Sequence, residues 1–110
     1  MSGIKFTKTL SAVEARPERS NQHEFNGVSQ LKAMLGLASR SLTGEFSLLG
    51  SDLTAKAEVT WYDARIAHET RTEHRLYFPT NVVMNHAKEG DLVEFLLEDP
   101  ALIRITLISR

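Results

Sequence analysis

Two apolar, β-branched runs near the end of the chain, residues 91–98 (DLVEFLLE) and 102–109 (LIRITLIS), are separated only by Asp99-Pro100-Ala101. Runs of this length joined by a tight Asp-Pro connection read as a closing hairpin. In the second run Ile103, Ile105 and Leu107 share one face, and its near-continuous apolarity asks for burial on most sides. The chain must therefore supply further sheet to cover this hairpin. Residues 54–62 do so most clearly, with Ala55, Ala57, Val59 and Trp61 alternating against Lys56, Glu58, Thr60 and Tyr62. Residues 4–10 form a weaker opening strand, Ile4, Phe6, Lys8 and Leu10 against Lys5, Thr7 and Thr9. Residues 39–52, rich in Ser, Gly and Thr, read as a loop holding one short strand around 45–49. A short amphipathic helix is expected over 28–37 through Val28, Leu31 and Leu35, closed near Gly36. A second is expected over 82–86, capped by Thr80 or Asn81, and Glu89-Gly90-Asp91 has the character of a tight turn into the hairpin. Short strands with two short helices imply an antiparallel barrel or half-open barrel whose ends the helices plug.

The 110 residues fit one domain, 1–110, long enough to bury a core without staples. With no cysteine, disulfides, thiolate catalysis and cysteine-based zinc sites are excluded. There is neither an apolar run of membrane length nor a signal-peptide apolar region, so a soluble cytoplasmic protein is expected. A net charge of -1 argues against coating nucleic acid by bulk electrostatics, though a specific reader with its basic groups on one face remains compatible. Arg16, Arg19, Arg65, Arg71 and Arg75 lie apart from the acids Glu89, Asp91, Glu94, Glu98 and Asp99 of the last third.

The stretch 64–77 does not suit a core. Extended, it projects Glu69, Arg71, Glu73 and Arg75 from one face and Thr70, Thr72 and His74 from the other. Pattern alone leaves two readings open, a solvated face of weak diagonal salt bridges and a face that reads bases. Glutamates can accept from the cytosine amino group and arginines can donate to guanine O6 and N7. A second polar element, residues 11–26, carries Arg16, Arg19, Asn21, Gln22, His23 and Asn26 and loses all periodicity. At about sixteen residues it is longer than a connection needs.

Catalytic and metal chemistry find little support. His23-Glu24, His68-Glu69 and Glu73-His74 are adjacent pairs that point to opposite faces of a strand, whereas a strand-borne metal site needs ligands two apart; these histidines are expected at the surface. Glu69 and Glu73 each have an arginine two residues away, which favours the ionised form over a general acid. No nucleophile elbow, phosphate loop or dinucleotide fingerprint is present. Neither enzyme activity, nor a metal, nor a cofactor is expected.

At these two polar stretches the chain resembles a known family. Lys8-Thr9-Leu10-Ser11-Ala12, then a polar loop and Asn21-Gln22-His23, resembles the opening and His-Gln loop of the N-terminal effector DNA-binding domain of EcoRII-type restriction endonucleases. Trp61-Tyr62-Asp63-Ala64 through Glu69-Thr70-Arg71-Thr72-Glu73-His74-Arg75 resembles that domain's later Lys-Thr-Arg-x-Glu-x-Arg strand. The resemblance implies a B-three-like pseudobarrel, mainly β with two short helices, open and antiparallel, of about seven strands. It also implies a monomer that grips the major groove of double-stranded DNA with two arms, at about 16–26 and 66–75. By position, Arg71, Glu73 and Arg75 match base-reading and phosphate-gripping residues. Two departures stand out: Glu69 occupies the family's lysine position, and Asn21-Gln22-His23 replaces His-Gln, so either Asn21 or His23 takes the histidine's part. The family's domain is fused to a nuclease domain, and a CCWGG-type site is the implied target. The rival expectation is a protein-interaction accessory module that reads no DNA.

Overall fold

The computed structural model describes residues 4–10, 24–25, 28–63, 74–79, 81–99 and 101–109. Seven strands, β1 (Ile4–Thr9), β2 (Glu24–Phe25), β3 (Arg40–Leu48), β4 (Thr54–Asp63), β5 (His74–Tyr77), β6 (Leu92–Asp99) and β7 (Leu102–Ile108), form one sheet. Their order is β1-β6-β7-β3-β4-β5-β2, curled into a half-barrel, so the fold is the mainly β, open pseudobarrel expected. The described pairings are antiparallel except β3 with β7, which run parallel. Hairpin turns dictate antiparallel neighbours, but β3 and β7 meet across three intervening strands, and no turn sets their relative direction.

The closing hairpin forms as its sequence requires. β6 and β7 pair with one irregularity between Leu97 and Asp99, and the Asp99 carboxylate accepts the Ala101 N–H at 2.7 Å. Ile103, Ile105 and Leu107 are fully buried. β4 turns Val59 and Trp61 into the core with Ala55 and Ala57 half-buried on the same face.

β3 is a correction. The expected loop with a short strand near 45–49 is a nine-residue strand with Leu42, Gly44 and Phe46 inward. Gly44 conceals the alternation because it leaves an inward position without a side chain. It is there because the strands approach closely: a Cβ at Gly44 would lie 2.9 Å from Val59 Cγ1 and 3.1 Å from Phe46 Cε1. β2 is another correction, a two-residue strand inside the expected polar loop. Two residues show no period, and Phe25 is held by tertiary contact instead.

That contact is a chain of rings. Phe25 stacks on Phe78 with centroids 4.4 Å apart and meets Phe95 edge-on at 5.0 Å, while Phe95 stacks on Phe6 at 5.0 Å. Phe6 belongs to one edge strand, β1, and Phe25 to the other, β2, so the rings close through the core what the backbone leaves open. Each such pair contributes about 0.5–1.5 kcal/mol beyond its buried area.

A 3-10 turn (Ser29–Leu31) runs into helix α1 (Lys32–Leu35), burying Val28, Leu31 and Leu35 and ending at Gly36 with φ 76°. The positive φ explains the glycine. The second expected helix is a single 3-10 turn, Met84–His86, with the Asn81 carboxamide oxygen accepting the Met84 N–H at 2.9 Å. Thr80, the other expected cap, lies outside the described residues. The turn into β6 closes through Asp91 N–H to Lys88 O at 3.0 Å and Lys88 N–H to the Asp91 carboxylate at 2.9 Å, with Gly90 at φ 94°. No described helix is long and apolar enough to cross a membrane.

Candidate nucleic-acid interface

Of the residues singled out from the sequence, Arg75 is described. Arg16, Arg19, Asn21, Gln22, His23, Asn26, Glu69, Arg71 and Glu73 lie outside the described residues. The structure does define the strands that these segments join. Residues 11–23 connect β1 to β2, and residues 64–73 connect β4 to β5. β2 and β5 are hydrogen-bonded neighbours, Glu24 opposite Tyr77 and Phe25 opposite Leu76. Both polar segments thus feed one antiparallel strand pair, whose members lie about 4.8 Å apart.

The alternation expected for the charged stretch holds where it can be followed. In β5, His74 and Leu76 are buried, whereas Arg75 is half-buried and Tyr77 exposed on the opposite face. Arg75 sits across from Tyr62, and Tyr77 across from Thr60. The outer face at this edge therefore gathers an arginine and two tyrosines.

His74 corrects the expectation of surface histidines. It is 4% exposed, stacks on Trp61 with centroids 4.9 Å apart, and bonds through Nε2 to the Leu37 carbonyl at 2.9 Å. A carbonyl accepts only, so Nε2 donates, and the other ring nitrogen, Nδ1, is buried without a partner among the described residues. Trp61 makes the companion bond, its indole N–H donating to Gly36 O at 3.1 Å. The strands on either side of residues 64–73 are thereby tied to the turn that leaves α1. Polar neighbours in sequence suggested a surface position for His74. The available signal was its parity: it alternates away from the charged face, which here means inward.

Elsewhere on the outer face several opposite charges pair. Glu45 lies between Lys56 and Arg104, each at 3.4 Å, and Lys5 approaches Glu94 at 3.7 Å. A groove of about 540 Å³ runs over Glu45, Ser47, Lys56, Glu94, Arg104 and Thr106. Its charges alternate and pair, and such exposed pairs contribute little. Among the described residues no group of three His, Asp or Glu side chains is placed to hold a metal ion.

No family model, curated protein or solved structure matches this chain.

Proposed function

We propose that the chain is a sequence-specific double-stranded DNA-binding domain, the effector or target-recognition module of a Type II restriction endonuclease of the EcoRII type, with no chemistry of its own. The observation that carries this reading is that the two polar segments, 11–23 and 64–73, each lead into one of the paired strands β2 and β5, entering this antiparallel pair from opposite ends at the edge of an open half-barrel. Two segments of guanidinium, carboxamide and carboxylate groups joined to one strand pair suit a two-armed grip on one groove. In the second arm, Glu73 accepts from a cytosine N4 and Arg71 or Arg75 donates to guanine, while Glu69 takes the place of a lysine contact. In the first, Arg16 and Arg19 neutralise phosphates and Asn21, Gln22, His23 and Asn26 reach base edges or backbone.

Selection from random-sequence duplex pools tests the reading. Enrichment of a short G·C-rich motif is expected; a pool that returns unenriched favours a protein-interaction module instead. On the enriched site, Glu73→Ala and Arg75→Ala should each cost about 1–3 kcal/mol in discrimination at one base pair. Unchanged base preference in both would remove the second arm from the recognition surface.

A further inference from the structure

We infer that Tyr62 and Tyr77 are positioning residues for Arg75, two rings that hold its guanidinium plane so that the N–H fork meets a guanine edge. The inference rests on the DNA-binding reading above and assigns the guanine contact of the second arm to Arg75.

The ladder between β4 and β5 sets the three side chains together. Arg75 is directly opposite Tyr62, and Tyr77 is two residues further along β5 on the same outward face. Directly opposed residues on one face of an antiparallel pair have Cβ atoms about 4.5–5.5 Å apart, and diagonal neighbours at about 7–8 Å remain within reach of an aromatic side chain. Tyr77 is opposite Thr60, so it stands diagonal to Tyr62. Arg75 therefore has one ring across the ladder and another beside it along its own strand. Tyr62 and Arg75 are half-buried and Tyr77 is 39% exposed, so the group reaches solvent.

The opposite face of the same strands fixes this register. Trp61 and His74, the chain neighbours of Tyr62 and Arg75, are buried and stack with centroids 4.9 Å apart. Their ring N–H groups donate to the carbonyls of Gly36 and Leu37 at 3.1 and 2.9 Å. A slip of one strand along the other would break the stack and turn buried side chains outward.

Arg104 shows the alternative environment for an arginine on the outer face. It is opposite Glu45, whose carboxylate meets its Nε at 3.4 Å. A carboxylate takes up the N–H donors themselves. An aromatic ring meets the flat face of a guanidinium and leaves the N–H edge pointing outward. Bidentate donation to guanine O6 and N7 needs that edge in one orientation.

Competition binding with duplexes altered one base pair at a time tests this on the full chain. Tyr62→Val suits a strand and removes the ring. It should lower the preference for guanine about fivefold at the base pair that Arg75→Ala relaxes, with native preference elsewhere and a native slope of log K against log salt. Tyr62→Phe should restore the preference, because the ring and not the hydroxyl carries the effect. Tyr77→Val should give a smaller loss at the same base pair. In an Arg75→Ala background, Tyr62→Val should cost nothing further. Native base preference in both valine variants, a loss spread evenly over all base pairs, an equal loss in Tyr62→Phe, or full additivity with Arg75→Ala overturns the positioning role while the native chain still selects its motif. Failure of the native chain to select any motif overturns the DNA-binding reading itself, and this inference with it.

Discussion

The block β6-β7-β3-β4 and the edge β5-β2 belong to one sheet but are held by different forces. In the block the strands run eight, seven, nine and ten residues, and their ladders are nearly continuous. At the edge the strands have four and two residues. Backbone pairing of that length contributes little by itself, and the edge is fixed by side chains: Phe25 against Phe78 and Phe95, and His74 on Trp61. The block is a scaffold specified by period, whereas the edge is specified by tertiary fit. The two polar segments lead into the two shortest strands, residues 11–23 into β2 and residues 64–73 into β5.

The largest effect should come where the two regions join. Phe95 stacks on Phe6 and meets Phe25 edge-on, so Phe95→Ala empties a site shared by block and edge. A loss of about 3–5 kcal/mol in urea unfolding is expected for a buried phenylalanine, a large share of a domain's total stability. A loss below about 1.5 kcal/mol would mean that the rings do not couple the edges across the core.

Gly44→Ala should be smaller and confined to the block. The new methyl meets Val59 Cγ1 at 2.9 Å, and Val59 is β-branched and fully buried, with little room to turn away. Overpacking of this kind costs about 1–3 kcal/mol. The denaturant slope should stay native, because the surface exposed on unfolding does not change. A stabilised variant would show that β3 and β4 can separate locally, and would weaken the contrast between a closely packed block and an edge held by a few side-chain contacts.

The same contrast explains what could be read from the sequence. β4, the closing hairpin, the Val28-Leu31-Leu35 face and the Lys88–Asp91 turn were all legible, because each rests on a local period or on turn chemistry. β3 was hidden by Gly44, a residue chosen for an interstrand clearance invisible in one dimension. β2 was hidden by length. The parallel β3–β7 pairing follows from the path of the whole chain, and no local signal marks it. The polar composition of residues 11–26 and 64–77 was plain, as was the alternation that turns Arg75 outward. What the sequence did not carry was the burial of His74 or its bond to Leu37, since both depend on a turn that folds back from 37 residues away.

The smallest effect should come from the outer face of the block, where Glu45 is opposite Lys56 on β4 and opposite Arg104 on β7. Directly opposed charges on a sheet face attract, but these side chains are solvated: Lys56 is 69% and Arg104 53% exposed. Water and salt screen the attraction, and ordering two long side chains around one carboxylate offsets much of the remainder. Glu45→Gln keeps the shape and removes the charge. It should shift unfolding by no more than about 0.5 kcal/mol, with even that difference fading at high salt. A loss above about 1 kcal/mol that persists at 1 M salt would mean that the block depends on its charged face as the edge depends on its rings, and the division between a period-specified scaffold and a contact-specified edge would no longer hold.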